Sequence, residues 1–191
     1  MKLHLGCGTV YLDGFINIDA APQYFADKCV PAYLEQNRTT LDKYYKRAFG
    51  TLPGYVVADV QHDLALTRLP FDAASVDQVV MYQVLEHFPA ALAGIVLDHI
   101  AEALRPRGTL RLSVPDAKQT AKMLAEADSP DREDWALRLL HGTQRNIWSH
   151  HLCGYVPRTL RVLLAAHGFG EFQDLPSINF YPTIHIEATR L

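Results

Sequence analysis

The chain has 191 residues, 49% hydrophobic and 20% charged, with 11 Gly and 11 Pro. That length suits a single domain that buries about 70% of its unfolded surface without disulfide or metal staples, and the composition excludes collagen-like, disordered and coiled-coil classes. With 18 basic against 21 acidic residues the net charge is -3, which argues against nucleic acid as a partner, because phosphate-backbone binding draws on a basic surplus.

Cys7, Cys29 and Cys153 are too few and too scattered for a disulfide framework and point to a reducing compartment. No apolar run approaches the roughly 20 residues that span a membrane. Met1 to Gly6 lacks the apolar core of a signal peptide. The expected location is cytoplasmic, with no membrane span.

In chain order, short β-branched apolar runs bounded by turn residues predict strands at Lys2 to Leu5, Phe15 to Ile18, Tyr55 to Ala58, Val76 to Met81 and Thr109 to Val114. Several are continuous apolar runs, which suits a sheet covered on both faces. Helical spacing runs from Pro89 to Leu104 through Leu92, Ile95, Val96, His99 and Ile100, and stops at the cationic turn Arg105-Pro106-Arg107-Gly108. Further helices are expected at Ala117 to Ala127, Arg132 to Leu140 and Pro157 to His167, the last opening on Pro and closing at Gly168. A final strand is expected from Ile178 to Thr189, with Pro182 inside it implying an edge position or a bulge.

Strands alternating with helices predict an α/β fold with a mostly parallel sheet. Two stretches break the rhythm. Only Gly6 to Gly14 joins the first two strands, room for about one helical turn. An insertion of about 34 residues lies between the second and third strands, at about 20–53, with helical pieces at Tyr24 to Lys28 and Leu41 to Phe49; such insertions are more often functional than idle.

The chemistry-bearing residues fall at strand ends. Gly6-Cys7-Gly8 follows the first strand, where glycines let the backbone turn tightly and approach a ligand; a plain tight turn would look the same. Asp19 ends the second strand, where a carboxylate can accept two hydrogen bonds from a ribose diol, or simply cap the strand. Asp63, beyond the third strand, can accept from an exocyclic amine of adenine or be a surface acid. Gln83, Glu86 and His87 are polar groups in the apolar stretch after the fourth strand, as ligand contacts or helix caps. A dinucleotide fingerprint needs Gly where Tyr11 stands and an acid about 20 residues on, whereas Asp19 lies 11 after Gly8.

Taken together, Leu3-His4-Leu5-Gly6-Cys7-Gly8, Gly14-Phe15-Ile16-Asn17-Ile18-Asp19, Asp63 with Leu69-Pro70-Phe71, Ser75-Val76-Asp77, Val84-Leu85-Glu86-His87-Phe88, Leu104-Arg105-Pro106-Arg107-Gly108-Thr109-Leu110 and Val114-Pro115-Asp116 resemble a class I S-adenosylmethionine-dependent methyltransferase, of the small type-11-like kind, over about two-thirds of the chain. The resemblance implies a Rossmann-like, seven-stranded, mostly parallel sheet with helices on both faces and an antiparallel last strand. It implies S-adenosylmethionine as cofactor, its methionine part and ribose against Gly6, Cys7 and Gly8. By the same resemblance the ribose hydroxyls fall on Asp19, the adenine on Asp63 and Leu64, and the methyl end on Gln83. Val10 replaces the third glycine of the family pattern, and Pro106-Arg107-Gly108 stands for the usual Pro-Gly-Gly. No helix precedes the first strand, which leaves the cofactor more open or leaves its cover to the insertion. The segment Leu140 to Tyr155 resembles a subgroup associated with polysaccharide biosynthesis. The expected organisation is one domain over 1–191, with an acceptor-side segment at about 116–156.

Methyl transfer from a sulfonium requires placing the acceptor about 3 Å from the carbon. An oxygen or nitrogen acceptor also calls for a base with a pKa near operating pH, which suits histidine. His87, His150 and His151 are the candidates, with Asp116 to orient one of them or bind the acceptor; capping, packing or surface roles are the alternatives for each. His141, His150, His151 and Cys153 match no standard zinc spacing, so no metal is expected. No sequence pattern marks a base that would make Cys7 a nucleophile, and packing in the glycine loop explains it better. The acceptor is expected to be a small molecule or glycan, and homo-oligomerisation stays open. The rival functions are a non-catalytic binding module with the same fold and a nicotinamide-dependent oxidoreductase, the latter lacking its fingerprint.

Overall fold

The computed structural model describes residues 1–8, 10, 12–20, 58–144 and 147–191. The strands are β1 (Lys2–Leu5), β2 (Ile16–Asp19), β3 (Val60–Gln61), β4 (Val76–Tyr82), β5 (Leu104–Pro115), β6 (Phe169–Asp174) and β7 (Thr183–Arg190). Among the described residues the helices are α1 (Ala90–Ala103), α2 (Ala117–Ala125), α3 (Pro130–His141) and α4 (Pro157–Ala166), with 3₁₀ turns at Leu85–His87 and Ile147–Ser149. The strands form one sheet in the order β3-β2-β1-β4-β5-β7-β6. β1 to β5 pair in parallel, and β7 runs antiparallel to both β5 and β6. This is the α/β sheet that the sequence led us to expect.

Successive strand residues point to opposite faces, so consecutive buried residues mean that both faces are covered. Leu3, His4 and Leu5 are buried in β1, Val79, Val80 and Met81 in β4, and Leu112, Ser113 and Val114 in β5. One apolar core joins these strands to Val96, Leu97 and Ile100 of α1, to Leu160 and Leu164 of α4, and to Phe169. The buried stripe of α1 is Ala93, Val96, Leu97, Ile100 and Ala103, and Ile95, expected in that stripe, is exposed. Helix ends follow their local chemistry. Asp116 accepts from the Lys118 and Gln119 amides at the start of α2, and Pro130 opens α3, with Asp131 and Glu133 in its first turn and Arg138 and His141 in its last.

Several expected boundaries move. Tyr55 to Val57 and the proposed helical pieces of the insertion lie outside the described residues. The described part of the third strand is Val60–Gln61, beyond Asp59. Arg105 to Gly108 is no helical last turn: it is the bulged entry of β5, where Leu104 pairs with Val76 and Thr109 with Gln78. Its charges are engaged across the sheet, Arg105 with Asp77 at 2.5 Å and Arg107 with Glu171. β6 was not anticipated. β7 starts at Thr183, so Pro182 precedes the strand and does not interrupt it, and β7 lies between β5 and β6, not at the edge.

Candidate active site

The strand order reverses at β1, which has β2 on one side and β4 on the other. Crevices outside the carboxyl ends of strands at such a switch point are the ligand sites of open α/β sheets. A cavity of about 370 Å³ sits there, within the roughly 300–1,000 Å³ of small-molecule pockets. Its walls come from the segments after β1, β2, β3 and β4, and they include Gly6, Gly8, Asp19, Asp63, Leu64 and Gln83.

The loop after β1 is held by backbone and carboxylate together. The Cys7 amide donates to the Ile18 carbonyl at 3.0 Å, and the Gly8 amide donates to Asp19 Oδ2 at 2.9 Å. Gly6 and Gly8 have φ of 62° and 53°, in the left-handed region that glycine enters without a Cβ penalty. At Gly6 a side chain is also excluded by space, since a Cβ would lie 2.4 Å from Val84 Cγ2. Cys7 is buried and is not among the cavity's lining residues. Asp63 folds its own loop, its Oδ1 accepting from the Ala65 amide at 2.9 Å.

Gln83 has φ of 58°, an uncommon conformation for a residue with a side chain. Three hydrogen bonds hold it there. Its amide donates to the Ser113 carbonyl at 2.8 Å, Nε2 donates to Ser113 Oγ at 2.9 Å, and Oε1 accepts from the Tyr181 hydroxyl at 3.1 Å. Strain that is held by its surroundings concentrates at functional sites, and Gln83 faces the cavity.

His87 lines the same cavity. Its Nδ1 lies 2.8 Å from the His150 carbonyl. A carbonyl only accepts, so Nδ1 carries the hydrogen and Nε2 the lone pair. Burial lowers the His87 pKa below its ordinary value, against the raising effect of backbone hydrogen bonding to His150 and Gln83. His151 is arranged alike, with Nδ1 2.9 Å from the Leu139 carbonyl, and its pKa is pushed down to about 4, by burial first and by the neighbouring His87 second. The two rings meet edge to face at 4.9 Å. Close to both lies Glu86, 1% exposed, with both carboxyl oxygens lacking a hydrogen-bond partner among the described residues. Burial pushes its pKa up to about 8.

Of the remaining sequence candidates, His150 meets His87 through its backbone carbonyl, and Asp116 caps α2; neither lines the cavity. The residues that sequence reasoning missed are Phe88, Pro89 and Leu92 in the wall, and Ser113 and Tyr181 behind Gln83. Tyr181 is 98 positions from Gln83, and no local pattern joins them.

A family described as a methyltransferase domain matches residues 21–170. The chain belongs to that family. No curated protein matches this methyltransferase significantly. Among solved structures it is similar to a SAM-dependent methyltransferase of Methanosarcina mazei, with 17% identity, 100% of this chain and 92% of that one covered, and a TM-score of 0.56. It is also similar to a SAM-dependent methyltransferase of Thermotoga maritima, with 13% identity, 100% and 82% coverage and a TM-score of 0.56. The magnesium protoporphyrin IX methyltransferase of Synechocystis, solved with bound SAH, is similar at 19% identity, 100% and 74% coverage and a TM-score of 0.50. These likenesses concern the fold. Among the described residues no helix of the methyltransferase is long and apolar enough to cross a membrane.

Proposed function

We propose that this methyltransferase binds S-adenosylmethionine in the cavity at the ends of β1 to β4 and transfers its methyl group to an oxygen or nitrogen of a small-molecule or glycan acceptor. The observation that carries the reading is that one cavity gathers Gly6, Gly8, Asp19, Asp63, Leu64 and Gln83, which come from four separate strand ends.

These residues fit that cofactor. Gly8, at a φ of 53°, brings bare backbone to the cavity wall. A carboxylate accepts several hydrogen bonds, so Asp19 can hold the Gly8 amide and a ribose diol at once. Asp63 and the apolar Leu64 offer an acceptor and a flat contact to a purine. When bound, the cofactor supplies a methyl group activated by a sulfonium. Gln83, fixed by Ser113 and Tyr181, borders the methyl end. His87, on the turn that follows, is neutral at neutral pH and can take a hydrogen bond or a proton on Nε2.

The acceptor side is marked by aromatic rings. Trp135 and Phe180 stack at 5.7 Å with an interplanar angle of 14°, and both are exposed. Tyr181 meets both rings and also binds Gln83. Rings with one wet edge suit the apolar face of a sugar, which supports a glycan acceptor of the polysaccharide-biosynthesis kind. Three scattered cysteines, too few for a disulfide framework, fit a reducing, cytoplasmic compartment.

Calorimetric titration with S-adenosylmethionine and with NAD, followed by trials of sugar nucleotides and glycans with methyl-labelled cofactor, tests the reading. The expected result is one bound S-adenosylmethionine, no NAD, and label on a carbohydrate. No binding of S-adenosylmethionine overturns it.

A further inference from the structure

We propose that Glu86, His87 and His151 form a binding site for one divalent transition-metal ion of the zinc type, set in the wall at the acceptor end of the cavity. The inference deepens the methyltransferase reading and rests on it for the ion's role.

One ligating atom from each of the three residues lies within 4.8 Å of the others. A tetrahedral site with bonds of about 2.1 Å has edges of roughly 3.4 Å, so an ion would draw the three inward by a small rotamer adjustment. The tautomers suit metal ligation. Each imidazole hydrogen-bonds through Nδ1 to a backbone carbonyl, His87 to His150 and His151 to Leu139, leaving both Nε2 lone pairs for ligation. This is the outer-shell pattern that sets the tautomer of metal-binding histidines.

The second observation is independent of the histidines. Glu86 is buried, and neither carboxyl oxygen has a hydrogen-bond partner among the described residues. Buried polar groups are nearly always satisfied, and an orphan calls for a bound ion or a chemical role. A space of about 20 Å³ borders Glu86 and His151, enough for one small ion or water. The two chain segments are also tied together before any ion arrives, since the Leu152 and Cys153 amides both donate to the Glu86 carbonyl at 2.8 and 3.1 Å.

Two imidazoles and a carboxylate favour zinc, iron(II) or cobalt(II) over magnesium or calcium, which prefer all-oxygen shells. Three protein ligands leave a coordination position open, as in catalytic zinc sites. His87 faces the cavity that Gln83 and Trp148 also line, so the open position is within reach of an acceptor hydroxyl. An ion there would lower that hydroxyl's pKa and ease its loss of a proton, a task the bare His87 ring would otherwise perform.

The test starts from protein stripped with a strong chelator and titrated with Co²⁺, then Zn²⁺. One Co²⁺ per chain with visible d–d absorption, displaced by one Zn²⁺ that raises the Tm, is expected. Glu86→Gln and His151→Asn should each weaken Zn²⁺ binding by more than about a hundredfold, beyond the ten- to hundredfold of losing an outer partner. His141→Gln should keep the ion. A far-ultraviolet circular dichroism spectrum of metal-free Glu86→Gln that matches the wild type separates loss of the ion from loss of the fold. Wild-type protein that binds S-adenosylmethionine but no stoichiometric Co²⁺ or Zn²⁺ overturns the site, as does undiminished Zn²⁺ binding by Glu86→Gln. Metal binding without S-adenosylmethionine binding overturns the methyltransferase reading and leaves the metal site standing.

Discussion

His4 makes the stability of this protein depend on pH in a way that can be worked out in advance. The ring sits in β1, 2% exposed, with Nδ1 3.0 Å from Asn17 Oδ1. Asn17 is committed through Nδ2 to the Leu12 and Phe15 carbonyls and to Asp59 Oδ2, each at 3.1 Å, so its Oδ1 accepts and His4 donates. The Tyr82 ring lies 6.2 Å from it, centroid to centroid. Burial pushes the His4 pKa down from 6.5 to about 4, and the Asn17 hydrogen bond offsets only part of that. The folded state therefore disfavours the proton that the unfolded chain accepts. The stability due to neutral His4 is complete above pH 6.5 and is lost as pH falls towards 4. A gap of about 2.5 pKa units corresponds to about 3 kcal/mol in total, of which about 2 kcal/mol is gone by pH 5. His4→Leu keeps the burial and loses one hydrogen bond, about 1 kcal/mol; Asn17 Oδ1 still accepts from the Leu12 amide at 2.9 Å. Urea unfolding of both proteins from pH 8 to pH 4.5 should show the wild type slightly more stable at pH 8, with the curves crossing between about pH 5 and 6. Parallel curves across that range would refute a buried neutral His4.

Asp19→Ala should weaken S-adenosylmethionine binding by about 1–3 kcal/mol in calorimetry, through the lost diol contact and the orphaned Gly8 amide; unchanged affinity would remove Asp19 from the ribose role. Gly6→Ala places a Cβ 2.4 Å from Val84 at a φ of 62°, and thermal unfolding should register a cost of about 2–4 kcal/mol from overpacking and backbone strain. Tyr181→Phe deletes the hydroxyl that holds Gln83 Oε1, and should lower kcat/KM by about 0.5–1.5 kcal/mol in labelled-methyl assays with little change in Tm. An equal loss of rate and fold would instead mark Tyr181 as a packing residue.

The parts of the fold legible in the sequence were those in which local chemistry and tertiary environment agree. β1 and β4 are short apolar runs between turn residues, and burial on both faces accounts for their lack of alternation. The strand-end residues Asp19, Asp63 and Gln83 were legible for the same reason, because a polar group closing an apolar run has few places to go. β6 was not, since only Phe169 among its residues is buried and its strand character comes from pairing with β7. Arg105 to Gly108 misled because Pro and Gly after a helix look like a stop wherever they occur, while the bulge depends on pairing with Val76 and Gln78. The neighbourhood of Glu86 and His151 was invisible from spacing, which compares positions along the chain and misses a turn from β4 meeting a loop ahead of α4.

The grip of Tyr181 on Gln83 has a consequence for the order of assembly. Synthesis delivers the glycine loop and the carboxylates early, and those strands can pair with one another as they emerge. Gln83, already tied to Ser113, gains its third hydrogen bond only when position 181 arrives, just ahead of β7, which slots between β5 and β6. If the proposed cofactor site is right, a nascent chain carries its binding residues well before Gln83 is fully held, and a truncated product ending ahead of position 181 should bind cofactor and turn it over poorly.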